Sequence, residues 1–217
     1  ISSRCRPDKG SILVMNIEIL VSFIFAVFAL ALSPGPDNIF VLVQSIRFGR
    51  KYALAVVAGL MTGCLVHTSL VAFGFSLLIA KNEILFMLLK IFGAGYLLYL
   101  AYQVYKSSET INFSAEKVAA KPLSKLYRQG FMMNVLNPKV SLFFLALFPG
   151  FLFSETLNET LQFFVLGGLF ILVSFMVFGS IAFLSGSLKS FLEKHPRSGM
   201  FLKWLQIIVF IGIAIFI

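Results

Sequence analysis

Two ionisable side chains stand where so apolar a chain has few others. Asp37 sits in Ser33-Pro34-Gly35-Pro36-Asp37-Asn38, and Lys139 ends the stretch Asn134-Val135-Leu136-Asn137-Pro138-Lys139. Each follows a proline that interrupts a hydrophobic run. Apart from Glu18 near one edge, Asp37 is the only acid inside such a run. A carboxylate in apolar surroundings is costly, so it marks a place that binds a cation, a proton or an opposite charge. Lys139, at the matching break, is its natural counterpart. Together they can take the two ends of a zwitterion, the ammonium on Asp37 and the carboxylate on Lys139. The other reading is a purely structural ion pair. Asn38, Gln44, Asn134 and Asn137 are amides that can bind the same solute or bridge helices. His67, alone in another apolar run, is a candidate proton relay or a core histidine.

The breaks set the geometry. Prolines at 34 and 36 flanking Gly35, and Pro138 in the second break, remove backbone donors and disfavour helix in the residues before them. Unwound backbone at membrane depth is tolerated only where protein or a water-filled cavity surrounds it. Half-helix N-termini after Pro36 and Pro138 would add partial positive charge for a carboxylate.

The setting is lipid. The 217 residues are 59% hydrophobic and 12% charged, against about 45–50% and about 25% in soluble chains. Mean hydropathy is +0.95. Six apolar segments stand out: 17–32 continuing past its break to 43, 53–80, 84–105, 131–153, 161–184 and 200–217. Most reach the ~20 residues a helix needs to cross the bilayer.

The net charge of +9 and the pI near 9.7 would suggest nucleic acid in a soluble protein. Twelve of the 18 basic residues instead fall in three alternate connections, from Arg47 to Lys51, Lys106 to Arg128 and Lys189 to Lys203. The other connections hold Lys81 with three glutamates, Glu83, Glu155 and Glu159. The excess is an orientation signal, with the basic loops cytoplasmic and both termini outside. No nucleic acid is implied.

Residues 1–14 read as a polar leader or upstream extension, without fixed structure, and stay outside the fold. Arg4, Arg6 and Lys9 precede an apolar stretch, and Ala29-Leu30-Ala31 looks like a cleavage box. That stretch is long and further hydrophobic segments follow it, so it reads as a first span. Tyr96, Tyr99, Tyr102 and Tyr105 form an interfacial aromatic stripe or a solute-lining face.

Each half contains three segments, with the break in or near its first. An odd number per half inserts the second copy upside down. The expected fold is an all-α polytopic membrane protein of six transmembrane helices. They form two inverted three-helix repeats, about 15–105 and 129–217, around a polar loop at 106–128, with helices one and four broken. Paired breaks of this kind point to a transporter's binding site.

Ser-Pro-Gly-Pro-Asp-Asn at 33–38, Gln44-Ser45 and Asn-Pro-Lys at 137–139 carry a family likeness. So do Gly93-Ala94-Gly95-Tyr96-Leu97-Leu98-Tyr99-Leu100 and Gly130-Phe131. From Met15 onward the chain resembles the LysE/RhtB-type amino-acid exporters. The resemblance implies proton-driven export of amino acids or related small solutes across the bacterial inner membrane, by a monomer or a homodimer and without a cofactor.

Other chemistries fail on counting. An intramembrane aspartyl protease needs two carboxylates in the membrane, and the only Asp residues are Asp8 and Asp37. There is no HExxH zinc motif and no P-loop. A hydrolase using His67 would lack a glycine-flanked serine. The two cysteines, Cys5 and Cys64, do not form a zinc pattern, and no metal is expected. A passive channel, a subunit of a membrane complex, or a carrier of another small solute or ion on the same fold is the rival reading.

Overall fold

A computed structural model describes residues 16–33, 35–74, 83–106, 120–194 and 198–216. The extension at 1–14 and most of the loop at 106–128 therefore lie outside the described residues. Asn16 opens the first helix by accepting the Ile19 N–H on its side chain. Helix α1 (Ile17–Leu32) buries Phe23, Val27, Leu30 and Ala31 on one face. Phe25 and Phe28, equally apolar, stay exposed on another. A helix hydrophobic all round belongs in lipid.

After the first break, α2 (Pro36–Phe48) runs to Gly49, whose φ of 92° is a conformation that glycine adopts freely. That turn lets α3 (Arg50–Gly74) start at once. Helix α4 (Glu83–Lys106) follows, then α5 (Leu123–Val135) and, past the second break, α6 (Pro138–Leu142). Beyond α6 the backbone widens to a π-helical turn over Phe143–Leu147, then tightens to a 3-10 turn over Phe148–Phe151. Pro149 explains the irregularity: it has no N–H to donate and crowds the carbonyl four residues back. Helices α7 (Glu159–Lys194) and α8 (Ser198–Phe216) complete the chain.

Among the described residues there is no strand. By length and composition α3 and α7 can each cross a membrane, and so can two bent pairs if each pair is one span. Those pairs are α1 with α2, bent by 61°, and α5 with the segment Pro138–Phe151, bent by 47°. That gives two to four candidate spans.

Helix α3 is the hub, packed on α5, α7 and α2, while α4 pairs with α8 and α1 lies on α7. Phenylalanines fill the centre. Phe23 of α1 meets Phe148 and Phe151, and Phe144 meets Phe148 and Phe170 of α7 at 4.3 and 4.7 Å between ring centroids. Such pairs add about 0.5–1.5 kcal/mol beyond area burial.

The sequence reading of 106–128 as one polar loop needs correction, because Leu123 to Arg128 are helical. Lys125 and Arg128 lie on the exposed side of α5, while Leu126 and Gly130 are buried against α3. Two charges in six residues hid the amphipathic pattern. The basic ends do gather on neighbouring elements: Arg50 lies 5.6 Å from the Phe183 ring of α7, and Lys203 of α8 lies 5.8 Å from the Tyr105 ring of α4.

The loop between the 3-10 turn and α7 hangs on one buried side chain. Gln162 accepts the Phe153 and Ser154 N–H groups at 2.7 and 2.9 Å, and donates to Ser154 O and Leu157 O at 2.8 and 2.9 Å. Phe153 O in turn accepts from Asn16 N–H at 3.0 Å. Gln162→Leu is expected to cost about 1–3 kcal/mol, because it strands several backbone groups at once. Thermal unfolding in micelles reads it, and an unchanged midpoint would refute this role for Gln162.

Candidate functional site

The two breaks are built alike. Helix α2 begins with Pro36 after extended Gly35, and α6 begins with Pro138 after extended Asn137. Proline suits the first helical turn, where its missing N–H would have had no partner. The charged residue then falls at the second helical position, Asp37 in one break and Lys139 in the other. Pro34 lies outside the described residues.

Side chains from both breaks cap the end of α1. Asn38 Nδ2 donates to Ala31 O at 2.8 Å, and Lys139 Nζ donates to Ser33 O at 2.9 Å. An ammonium there meets the negative end of a helix dipole. Asn137 links the charges from the other direction: its Nδ2 donates to Asp37 Oδ2 at 2.6 Å, and its Oδ1 accepts the Lys139 backbone N–H at 3.0 Å. Asp37 and Lys139 thus interact electrostatically across a shared amide. The carboxylate's hydrogen bond comes from Asn137, and the ammonium's goes to Ser33 O.

These groups border a cavity of about 260 Å³. That is just below the ~300–1,000 Å³ typical of ligand pockets, a size for a small solute. Gly35, Pro36, Asp37, Asn38, Asn134, Asn137, Pro138 and Lys139 all line it. Asn134 is buried, and its Nδ2 reaches Cys64 Sγ at 3.4 Å. Its Oδ1 has no hydrogen-bond partner among the described residues. An acceptor left in that state costs about 1–3 kcal/mol, so it calls for a donor.

Two sequence-named residues stand apart. Gln44 is buried two turns along α2 and does not line the cavity. His67 also stays off its wall: the ring stacks on Phe144 at 5.4 Å, and Nε2 lies 3.2 Å from Asn134 O. It holds the end of α5. His67→Gln is expected to lower the unfolding midpoint while leaving the pH profile of transport in place. A shifted profile would favour the relay reading over the core one.

The tyrosine stripe is an outer surface. Tyr99, Tyr102 and Tyr105 are half exposed or more, and the cavity face of α4 is Leu100, Gln103 and Val104. Sequence reading missed Gln103, Ser174, Gln206 and Phe210, all of which line the cavity. Gln103 and Gln206 were detectable as lone amides in apolar helices. Phe210, 5.6 Å from Lys139 Nζ, carries no such signal among 26 phenylalanines.

Residues 28–217 match the family described as LysE type translocator. The chain belongs to that family. The matched stretch contains both breaks and every residue lining the cavity. Among relatives, this translocator is 30% identical over 183 residues to the homoserine/homoserine lactone efflux protein of Salmonella typhi, covering 84% of this chain and 87% of that one. It is 27% identical over 193 residues to the leucine efflux protein of Enterobacter sp. (strain 638), covering 89% and 92%. An uncharacterized membrane protein of Vibrio cholerae shares 28% identity over 153 residues, covering 70% and 74%. No solved structure matches the chain. Family, relatives and apolar helices together make it a multi-pass membrane protein.

Proposed function

We propose that the protein exports amino acids or related small zwitterions across the bacterial inner membrane, coupled to the proton gradient. The observation that carries this reading is the pairing of one carboxylate and one ammonium, Asp37 and Lys139, at the wall of one cavity. A zwitterion has the complementary pair. Its ammonium would sit on Asp37 with Asn134 Oδ1 as a second acceptor, and its carboxylate would draw Lys139 from Ser33 O. Asp37 would carry the proton when no substrate is bound. The efflux names of the relatives support the direction.

The two like-built breaks support a six-span arrangement in two inverted halves, with the site between them. The basic connections would then face the cytoplasm. Substrate, protons and lipid are the partners this requires, whether the unit is a monomer or a homodimer.

The purified protein in proteoliposomes should move a labelled amino acid under an imposed pH gradient. Flux should saturate with concentration and collapse when a protonophore is added. Non-saturating flux indifferent to the protonophore would indicate a passive channel. No flux for any amino acid would remove this reading.

A further inference from the structure

We infer that Gln103 of α4 and Gln206 of α8 read the substrate's side chain, and that this side chain carries no net charge. The inference rests on the export reading above and deepens it.

The cavity wall holds a single carboxylate and a single ammonium. The two α-groups of an amino acid use both. The asparagines are largely committed to the protein: Asn38 to Ala31 O, Asn137 to Asp37 and Lys139, and Asn134 through its Nδ2 to Cys64. Gln103 is committed in part, and the Gln206 side chain is not. Gln103 gives its Nε2 to the Tyr99 hydroxyl, and among the described residues its Oε1 has no partner. The Gln206 side chain makes no hydrogen bond among the described residues, although it is the only strongly polar residue of α8 after Lys203. An amide kept from water is costly unless something satisfies it, which bears on part-buried Gln206, while Gln103 is exposed and gives its Nε2 to Tyr99 on the outer surface. Both residues line the same cavity, and they come from two helices packed on each other.

The remaining wall is apolar, including Leu30, Met61, Phe170 and Phe178. A lysine or aspartate side chain would enter it with no opposite charge to meet. Hydroxyl or amide side chains can bond the glutamines, and aliphatic ones can lie on the apolar wall. Selectivity within the uncharged set is therefore shallow, because an apolar pocket rejects an added hydroxyl by only about 10².

The test uses the full-length protein in proteoliposomes, with uptake of labelled leucine challenged by unlabelled homoserine, leucine, lysine and aspartate. In the wild type the two uncharged competitors should outcompete the charged ones by about tenfold or more. Gln206→Leu should weaken homoserine relative to leucine by about tenfold. Gln206→Glu supplies the missing charge, and should raise lysine competition relative to leucine by at least about tenfold. Gln103→Glu is the parallel variant on the other helix. A gained specificity cannot arise from misfolding or from a merely structural role. Equal competition by lysine and leucine in the wild type would overturn the inference. So would folded Glu variants that transport with unchanged ratios. Absence of all flux in the wild type would instead sink the export reading beneath it.

Discussion

Asp37→Asn is expected to lower transport by about 10² or more while the protein stays folded in the membrane. A charge-assisted hydrogen bond is worth roughly 1.5–3 kcal/mol, and each ~1.4 kcal/mol is a factor of ten. The substitution removes the charge and little else. Asparagine keeps an oxygen that can accept from Asn137 Nδ2, now 2.6 Å from Asp37 Oδ2. The link between the two breaks therefore survives, while the proton and the ammonium lose their acceptor. Transport in proteoliposomes and thermal unfolding in micelles read the two effects separately. Full export by the mutant would remove Asp37 from the binding machinery.

Lys139 allows a sharper separation of function from structure. Lys139→Met leaves the buried carboxylate of Asp37 without its counter-charge and Ser33 O without its donor. Breaking a buried pair from one side costs about 3–5 kcal/mol, so this variant should be less stable than Asp37→Asn. Combining the two removes both charges, and the double variant should recover part of the lost stability. Contacting residues typically couple by 0.5–3 kcal/mol. Transport should not recover with it, because a zwitterion then has neither anchor. If the double variant transports, the pair is only structural.

What the sequence made legible follows from which physical signals are local. The breaks at Pro36 and Pro138 were readable because proline acts on its own backbone and the one before it. Asp37 and Lys139 stood out because charge is rare in apolar runs. The helical start of α5 was not readable, since Lys125 and Arg128 mimic a loop unless it is known that α3 covers Leu126 and Gly130. Gln103 and Gln206 depend on which way α4 and α8 turn in the assembled bundle, and no spacing within either helix decides that. His67 shows the converse. Its type allowed a proton relay or a core histidine, and its contact is with the carbonyl of Asn134, 67 residues away in another helix.

The second large effect lies where α3 crosses α5. A Cβ on Gly59 would come within 2.0 Å of Tyr127 O, and one on Gly130 within 2.3 Å of Val56 O. The obstacles are backbone, so neither can yield without moving a helix. Between helices in lipid, close van der Waals approach replaces the hydrophobic drive, and only the smallest residues permit it. Gly59→Ala and Gly130→Ala should each lose about 3 kcal/mol or more, at or above the usual range for overpacking. At an unobstructed helical site the same change would instead stabilise by about 0.5–1 kcal/mol. Gly95 and Gly168 supply that control, with nothing within 4 Å of a built Cβ. Gly63, one turn along the same seam, is obstructed too. Its Cβ would meet Asn134 at 2.6 Å from Oδ1 and 2.7 Å from Cβ, and Asn134 Cβ moves only with the α5 backbone. Gly63→Ala should therefore cost stability as well as transport, because the residue it displaces carries the cavity acceptor Oδ1, unpartnered among the described residues. Unfolding midpoints in micelles rank the five variants, and a Gly59→Ala protein as stable as Gly95→Ala would show that the backbones of α3 and α5 do not meet there.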